Sequence, residues 1–241
     1  MERSTRQARA RRGLPGFRHP AGHLLLAAPV FLLYHLGLLV SPLSVNGVDP
    51  ITRLLGHLAG LSWWAYLAAM LGLTAAYLWA WRRLARRGDI APGRLARLLA
   101  ESGLYAVLLG PVAGLLLGEL HVLGAVWLGM GPLDRVVASA GAGFYEELFF
   151  RLLAVGAVLG WLDRRGHRRW LAVPLLVAVT ALLFAAVHHI GPGAEPFSLI
   201  ALSFRTVLGC LLAAVFLLRG FATAVWTHFL YDVYVMVVLW I

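Results

Sequence analysis

Residues 143–151 read Gly143-Phe144-Tyr145-Glu146-Glu147-Leu148-Phe149-Phe150-Arg151. Two adjacent carboxylates and an arginine stand inside a run that is otherwise almost wholly apolar from Val136 to Leu162. An ionisable side chain within a hydrophobic span costs about 2.5–3.5 kcal/mol on insertion scales, so each one is a functional hypothesis by default. On an α-helix Glu147 and Arg151 are four apart, share a face and can pair. Glu146 then points about 100° away and is open to a different partner. One acid is expected to be neutralised structurally while the other faces a polar cavity.

The rest of the chain sets this stretch in a membrane. Of 241 residues, 61% are hydrophobic and only 13% charged, with mean hydropathy +0.79. Soluble domains are about half apolar and about a quarter charged. The composition therefore predicts an all-α, polytopic transmembrane helical bundle. Apolar runs long enough to cross a bilayer, about 20 residues each, fall at 22–41, 61–81, 101–126, 135–161, 170–189, 197–217 and 221–241, about seven spans. Residues 51–60 read as a short interfacial helix. There is no internal repeat and no soluble domain. Residues 1–100 hold two spans and no recognised motif, and 101–241 form the motif-bearing core.

The formal charge of +10 raises nucleic acid as a partner. Its distribution excludes that class, because the arginines cluster at Arg3–Arg18, Arg82–Arg97 and Arg164–Arg169, between apolar runs, with no base-reading motif. Every second span boundary is basic. Under the positive-inside rule this places the N-terminus in the cytoplasm and the C-terminus outside. All 21 basic residues are arginine, a composition expected of a GC-rich bacterium and hence of a multi-pass protein of its inner membrane. The basic start could imitate a signal peptide. The run from His23 to Val40 is long enough to span and lacks a small-x-small cleavage site, so a retained first helix is expected. The single cysteine, Cys210, rules out a disulfide framework and a cysteine zinc cluster.

Two further polar groups interrupt apolar runs. The fifth span ends Phe184-Ala185-Ala186-Val187-His188-His189, with Phe184 and His188 on one face. The seventh holds His228-Phe229-Leu230-Tyr231-Asp232, whose His228 and Asp232 can point into one cavity. Glu119 and His121 on the third span have no assigned role. A carboxylate, a histidine and a His-x-x-x-Asp on three helices supply a general base, a second proton-transfer group and an oxyanion stabiliser, enough for hydrolysis by activated water. The same residues also fit a proton relay in a transporter (Glu146, Glu119, His121 and Asp232) or ion pairs that lock helices in an inactive immunity or scaffold protein.

Glu146-Glu147-x-x-x-Arg151, Phe184-x-x-x-His188 and His228-x-x-x-Asp232, in this order, resemble the three motifs of the CAAX protease and bacteriocin-processing family. That family includes the type II CAAX prenyl endopeptidases and bacterial abortive-infection proteins. The resemblance covers about residues 100–241. It implies an intramembrane endopeptidase acting on a membrane-associated protein or peptide, in bacteria a sorting-signal or peptide-maturation substrate. It maps Glu146 to the general base, His188 to activation of the same water, and His228 with Asp232 to the oxyanion. Glu147, Arg151 and Phe184 take supporting positions. The prenyl endopeptidases look to have asparagine where Asp232 stands, and an anionic side chain is a poor oxyanion donor. Asp232 would then be protonated by burial or would orient His228. Zinc held by Glu146, His188 and His228 with an open position is the cofactor such a set allows. A metal-independent site is the expectation, since His-Glu-x-x-His is absent. Straight, full-length spans put Glu146 about 27 Å from the Arg164 boundary and His228 about 13 Å from Arg219. Convergence of the motifs thus requires tilted, offset or extended helices.

Overall fold

The computed structural model describes residues 20–41, 46, 49, 62–86, 93–118, 130–165, 169–191 and 194–239. Among these every regular element is helical. Helix α1 is Pro20–Gly37, α2 Trp63–Arg86 and α3 Arg94–Leu117. A fourth rod begins as α4, Pro132–Gly141, winds as a π-helix over Ala142–Ala157, and ends as α5, Val158–Arg164. Then come α6, Arg169–Val187, α7, Leu199–Arg219, and α8, Phe221–Val233, which closes in a short π-turn, Tyr234–Val238. Each expected span has its helix. The Arg3–Arg18 cluster and the interfacial helix at 51–60 lie outside the described residues.

The molecule is a helical, multi-pass membrane protein. Three of the described helices, Arg94–Leu117, Leu199–Arg219 and Phe221–Val238, are long and apolar enough to cross a bilayer, and shorter apolar stretches occupy Gly22–Gly37 and Ala172–Val187. Leu104, Val107, Leu108, Val112, Leu115 and Leu116 of α3 form an exposed apolar face at helical spacing, as do Leu175, Val179, Leu182 and Leu183 of α6. An outward apolar stripe on an all-round apolar helix is what a lipid solvent selects.

Helix α8 is the centre of the bundle. It packs against α1, α3, α4, α7 and the π-helix. Lipid tails are as apolar as leucine, so close packing and interhelical polar contacts hold such helices together. Both are present. Ala27, Ala138, Ala140, Ala222 and Ala224 are buried, which lets backbones approach. Trp226 Nε1 donates to Leu26 O at 2.9 Å, tying α8 to α1. Arg219 of α7 pairs with Glu101 of α3, and Tyr105 O–H donates to the same carboxylate at 2.8 Å. His35 of α1 bridges Tyr66 of α2 (2.6 Å) and Tyr145 of the π-helix (2.7 Å).

Two departures from the expected boundaries position the site. The third helix starts at Arg94, so Glu101 lies in its second turn and is paired near its end of the bundle. The fifth ends at Val187, so His188 occupies the tightened turn that follows, its N–H bonded to Ala185 O at 3.3 Å. The fourth rod departs in winding. An i→i+5 ladder adds a residue to each turn, and such segments gather at functional sites because they re-aim side chains.

Candidate active site

The π-helix carries Glu146, Glu147 and Arg151, all buried (8%, 0% and 2% exposed). Arg151 lies 3.2 Å from Glu147 Oε1, the pairing expected from their spacing. Its guanidinium also donates to Gly209 O of α7 at 3.4 Å and stacks over the Phe184 ring with Cζ 4.3 Å from the centroid. Gly209 makes this possible by close approach: a Cβ there would stand 3.0 Å from Ala181 Cβ and 3.2 Å from Phe184 Cδ1. Arg151 thus ties the π-helix to α6 and α7 at one point. A buried arginine without such partners would carry an uncompensated charge, a loss of about 3–5 kcal/mol.

Gly143, one turn before Glu147, makes the second close approach. A Cβ at this position would lie 2.8 Å from the backbone N of Phe229 and 2.9 Å from its Cα. The absent side chain lets α8 pack directly on the π-helix and brings His228 between the two glutamates. His228 Nδ1 donates to Glu147 Oε1 at 2.9 Å. Its Nε2 lies 3.9 Å from Glu146 Oε2 and 3.6 Å from Asp232 Oδ2. The ring's hydrogen bond is therefore to Glu147, while Asp232 borders the opposite nitrogen. The sequence reading separated the two glutamates by face. In the fold both reach the same imidazole.

His188 completes the group. Its Nδ1 donates to Phe184 O at 2.7 Å, which leaves Nε2 as the nitrogen with the free lone pair. That Nε2 is 3.7 Å from Glu146 Oε2. The buried Phe184 ring packs against both histidines, edge-on to His188 at 5.0 Å and to His228 at 5.9 Å between centroids. Glu146 Oε2 is buried and makes no hydrogen bond within the described residues. Each histidine is anchored through Nδ1 and turns Nε2 towards this one oxygen.

The fold thus brings together Glu146, His188, His228 and Asp232, with Glu147, Arg151 and Phe184 packed around them. Glu119 and His121 lie outside the described residues. Among the described residues no group of three or more His, Cys, Asp and Glu side chains has a metal-holding arrangement. Glu146, His188 and His228 are the donor types zinc takes, but as placed they do not form its coordination shell. One neighbour was not anticipated from the sequence. Asn46, a hundred residues away in the chain, donates from Nδ2 to Glu146 Oε1 at 3.2 Å. An asparagine between two apolar runs carries no local signal for such a contact.

No curated protein and no solved structure matches this chain. Residues 128–234 match the family described as type II CAAX prenyl endopeptidase Rce1-like. That interval contains all three motifs and the whole of the cluster just described, Asn46 excepted. Over residues 128–234 this membrane protein is thus similar to the type II CAAX prenyl endopeptidase Rce1-like family, which supports the resemblance carried by its three motifs.

Proposed function

We propose that the protein is an intramembrane endopeptidase that hydrolyses a peptide bond of a membrane-associated protein or peptide with a water activated by Glu146. The observation that carries this reading is the convergence of Glu146 Oε2 with the Nε2 atoms of His188 and His228, at 3.7 and 3.9 Å, from three separate segments of the chain. A water within hydrogen-bond distance of that oxygen lies within reach of both imidazoles.

Glu146 takes the proton from this water as its oxygen bonds to the scissile carbonyl carbon. His188 orients the same water. His228, its ring held by Glu147, and Asp232 line the side on which the tetrahedral oxyanion develops. Collapse of that intermediate breaks the C–N bond, and the proton held by Glu146 passes to the departing amine. Glu147 and Arg151 neutralise one another inside the bundle and keep the π-helix in register. The family match supports protease chemistry of this kind, and the arginine clusters support a bacterial inner membrane. A sorting-signal or maturation substrate follows from that location.

The test is cleavage of internally quenched peptides, with and without a C-terminal prenyl-cysteine motif, by purified protein in lipid vesicles. Glu146→Gln and His188→Ala lower kcat by about 10²–10⁴-fold, the range of a lost general acid–base group, while insertion and expression persist. Exhaustive chelation leaves wild-type cleavage intact. Activity that chelation abolishes and zinc restores would reassign Glu146, His188 and His228 as ligands. Wild-type kcat in either variant would sink the assignment.

A further inference from the structure

We infer that Asn46 is a positioning residue for Glu146, delivered to the site by a hydrogen-bonded clasp on Tyr34 and Asp49; this rests on the peptidase reading above. The Glu146 carboxylate has two unequal oxygens. Oε1 accepts from Asn46 Nδ2 at 3.2 Å. Oε2 is buried, has no hydrogen bond among the described residues, and faces both imidazoles. The amide therefore selects which oxygen is left to handle a proton. Nitrogen must be the atom that faces the carboxylate, since the amide oxygen would set two acceptors against each other.

Asn46 is itself held. Its backbone N–H donates to Tyr34 O–H at 2.9 Å, and that hydroxyl donates to Asp49 Oδ2 at 2.8 Å. Asp49 N–H returns to Asn46 O at 3.1 Å, closing the ring. Tyr34 and Asp49 are both fully buried. Tyr34 stacks edge-on against Tyr145 with centroids 5.6 Å apart, and Tyr145 is the residue before Glu146. The clasp and the carboxylate it serves are thus anchored on the same piece of the π-helix. The region without a motif thus supplies a working part of the site, through Tyr34 of α1 and through Asn46 and Asp49. Loss of such a contact frees the carboxylate to rotate, and small misplacements of a reacting group are costly in rate.

The full-length protein in vesicles, with the same quenched peptides, tests this. Asn46→Ala and Asn46→Asp each lower kcat by about 10–100-fold with KM within about twofold, and Asn46→Gln recovers part of the loss. Thermal unfolding gives a readout that does not depend on cleavage. Asn46→Asp sets two carboxylates together and lowers the melting temperature. The exchanged pair N46D/E146Q restores an amide–carboxylate contact and recovers the melting temperature, without recovering kcat. Wild-type kcat in Asn46→Ala, with Glu146→Gln inactive, overturns the role of Asn46 and leaves the peptidase reading standing. An Asn46→Asp protein that melts like wild type overturns the contact itself. Cleavage that is equal in wild type and Glu146→Gln counts against the peptidase reading and with it against the role of Asn46, while the charge exchange still reports whether the two side chains meet.

Discussion

Asp232 is the side chain whose chemistry the proposed reaction constrains most. Its Oδ2 lies 3.6 Å from His228 Nε2, beyond hydrogen-bond length, and the ring is already oriented by Glu147 at 2.9 Å. His228 therefore does not need Asp232 to set its tautomer. In the proposed reaction Asp232 is left to stabilise the oxyanion, which requires a donor. An amide supplies one at the same size. Asp232→Asn is expected to keep kcat within about tenfold, and Asp232→Leu to lower it about 10²–10³-fold, the usual cost of one lost oxyanion donor. Steady-state kinetics on the quenched peptides read the difference, and equal losses in both variants would exclude a donor role. The pairing of Glu147 with Arg151 was legible from their spacing, because it is local. The bond from His228 to Glu147 spans 81 positions and was not. No periodicity encodes which of two neighbouring acids a distant helix will meet.

The fourth rod shows how an element's winding and its glycines set the site. A π-helical stretch of sixteen residues carries Glu146, Glu147 and Arg151, where the apolar pattern of the sequence predicts an ordinary helix. Patterns of hydrophobicity report a buried face and not the hydrogen-bond ladder beneath it. With more residues per turn the rotation per residue is smaller, which narrows the angle between Glu146 and Glu147 so that both reach His228. Gly143 then admits α8 to contact. Gly143→Ala would press a methyl group to 2.8 Å from the Phe229 backbone, which cannot swing aside as a side chain could. Overpacking of this kind costs about 1–3 kcal/mol. The variant is expected to insert, to melt at a lower temperature and to lose about 10–100-fold in kcat as His228 is pushed from the glutamates. A change in melting temperature with unaltered kcat would show that the helix approach does not govern the chemistry. His188 lies past the end of α6, in the turn that follows Val187.

At the scale of the molecule, orientation in the bilayer is the property the arginine clusters predict. Helix α6 has nineteen residues, about 28 Å at 1.5 Å per residue, close to the hydrocarbon thickness. Arg165 precedes it and the exposed Ile190 follows it. In a Cys210→Ser background, single cysteines at 165 and 190 should label differently with a membrane-impermeant maleimide. Position 190 reacts in intact cells, and 165 only after permeabilisation. The reverse pattern would invert the topology and place the arginine clusters outside.

Composition and spacing were sufficient for the membrane bundle, its helical runs and the Glu147–Arg151 pair, because each is a property of local sequence in an apolar solvent. Tertiary packing alone decided three things. It placed both glutamates against His228, through the π-winding and the bare Cα of Gly143. It took His228's anchoring bond from Asp232's side of the ring to Glu147. It brought Asn46 onto Glu146 from a region with no motif. Contacts between distant segments depend on how closely backbones approach, and that distance is written in no single stretch of the chain.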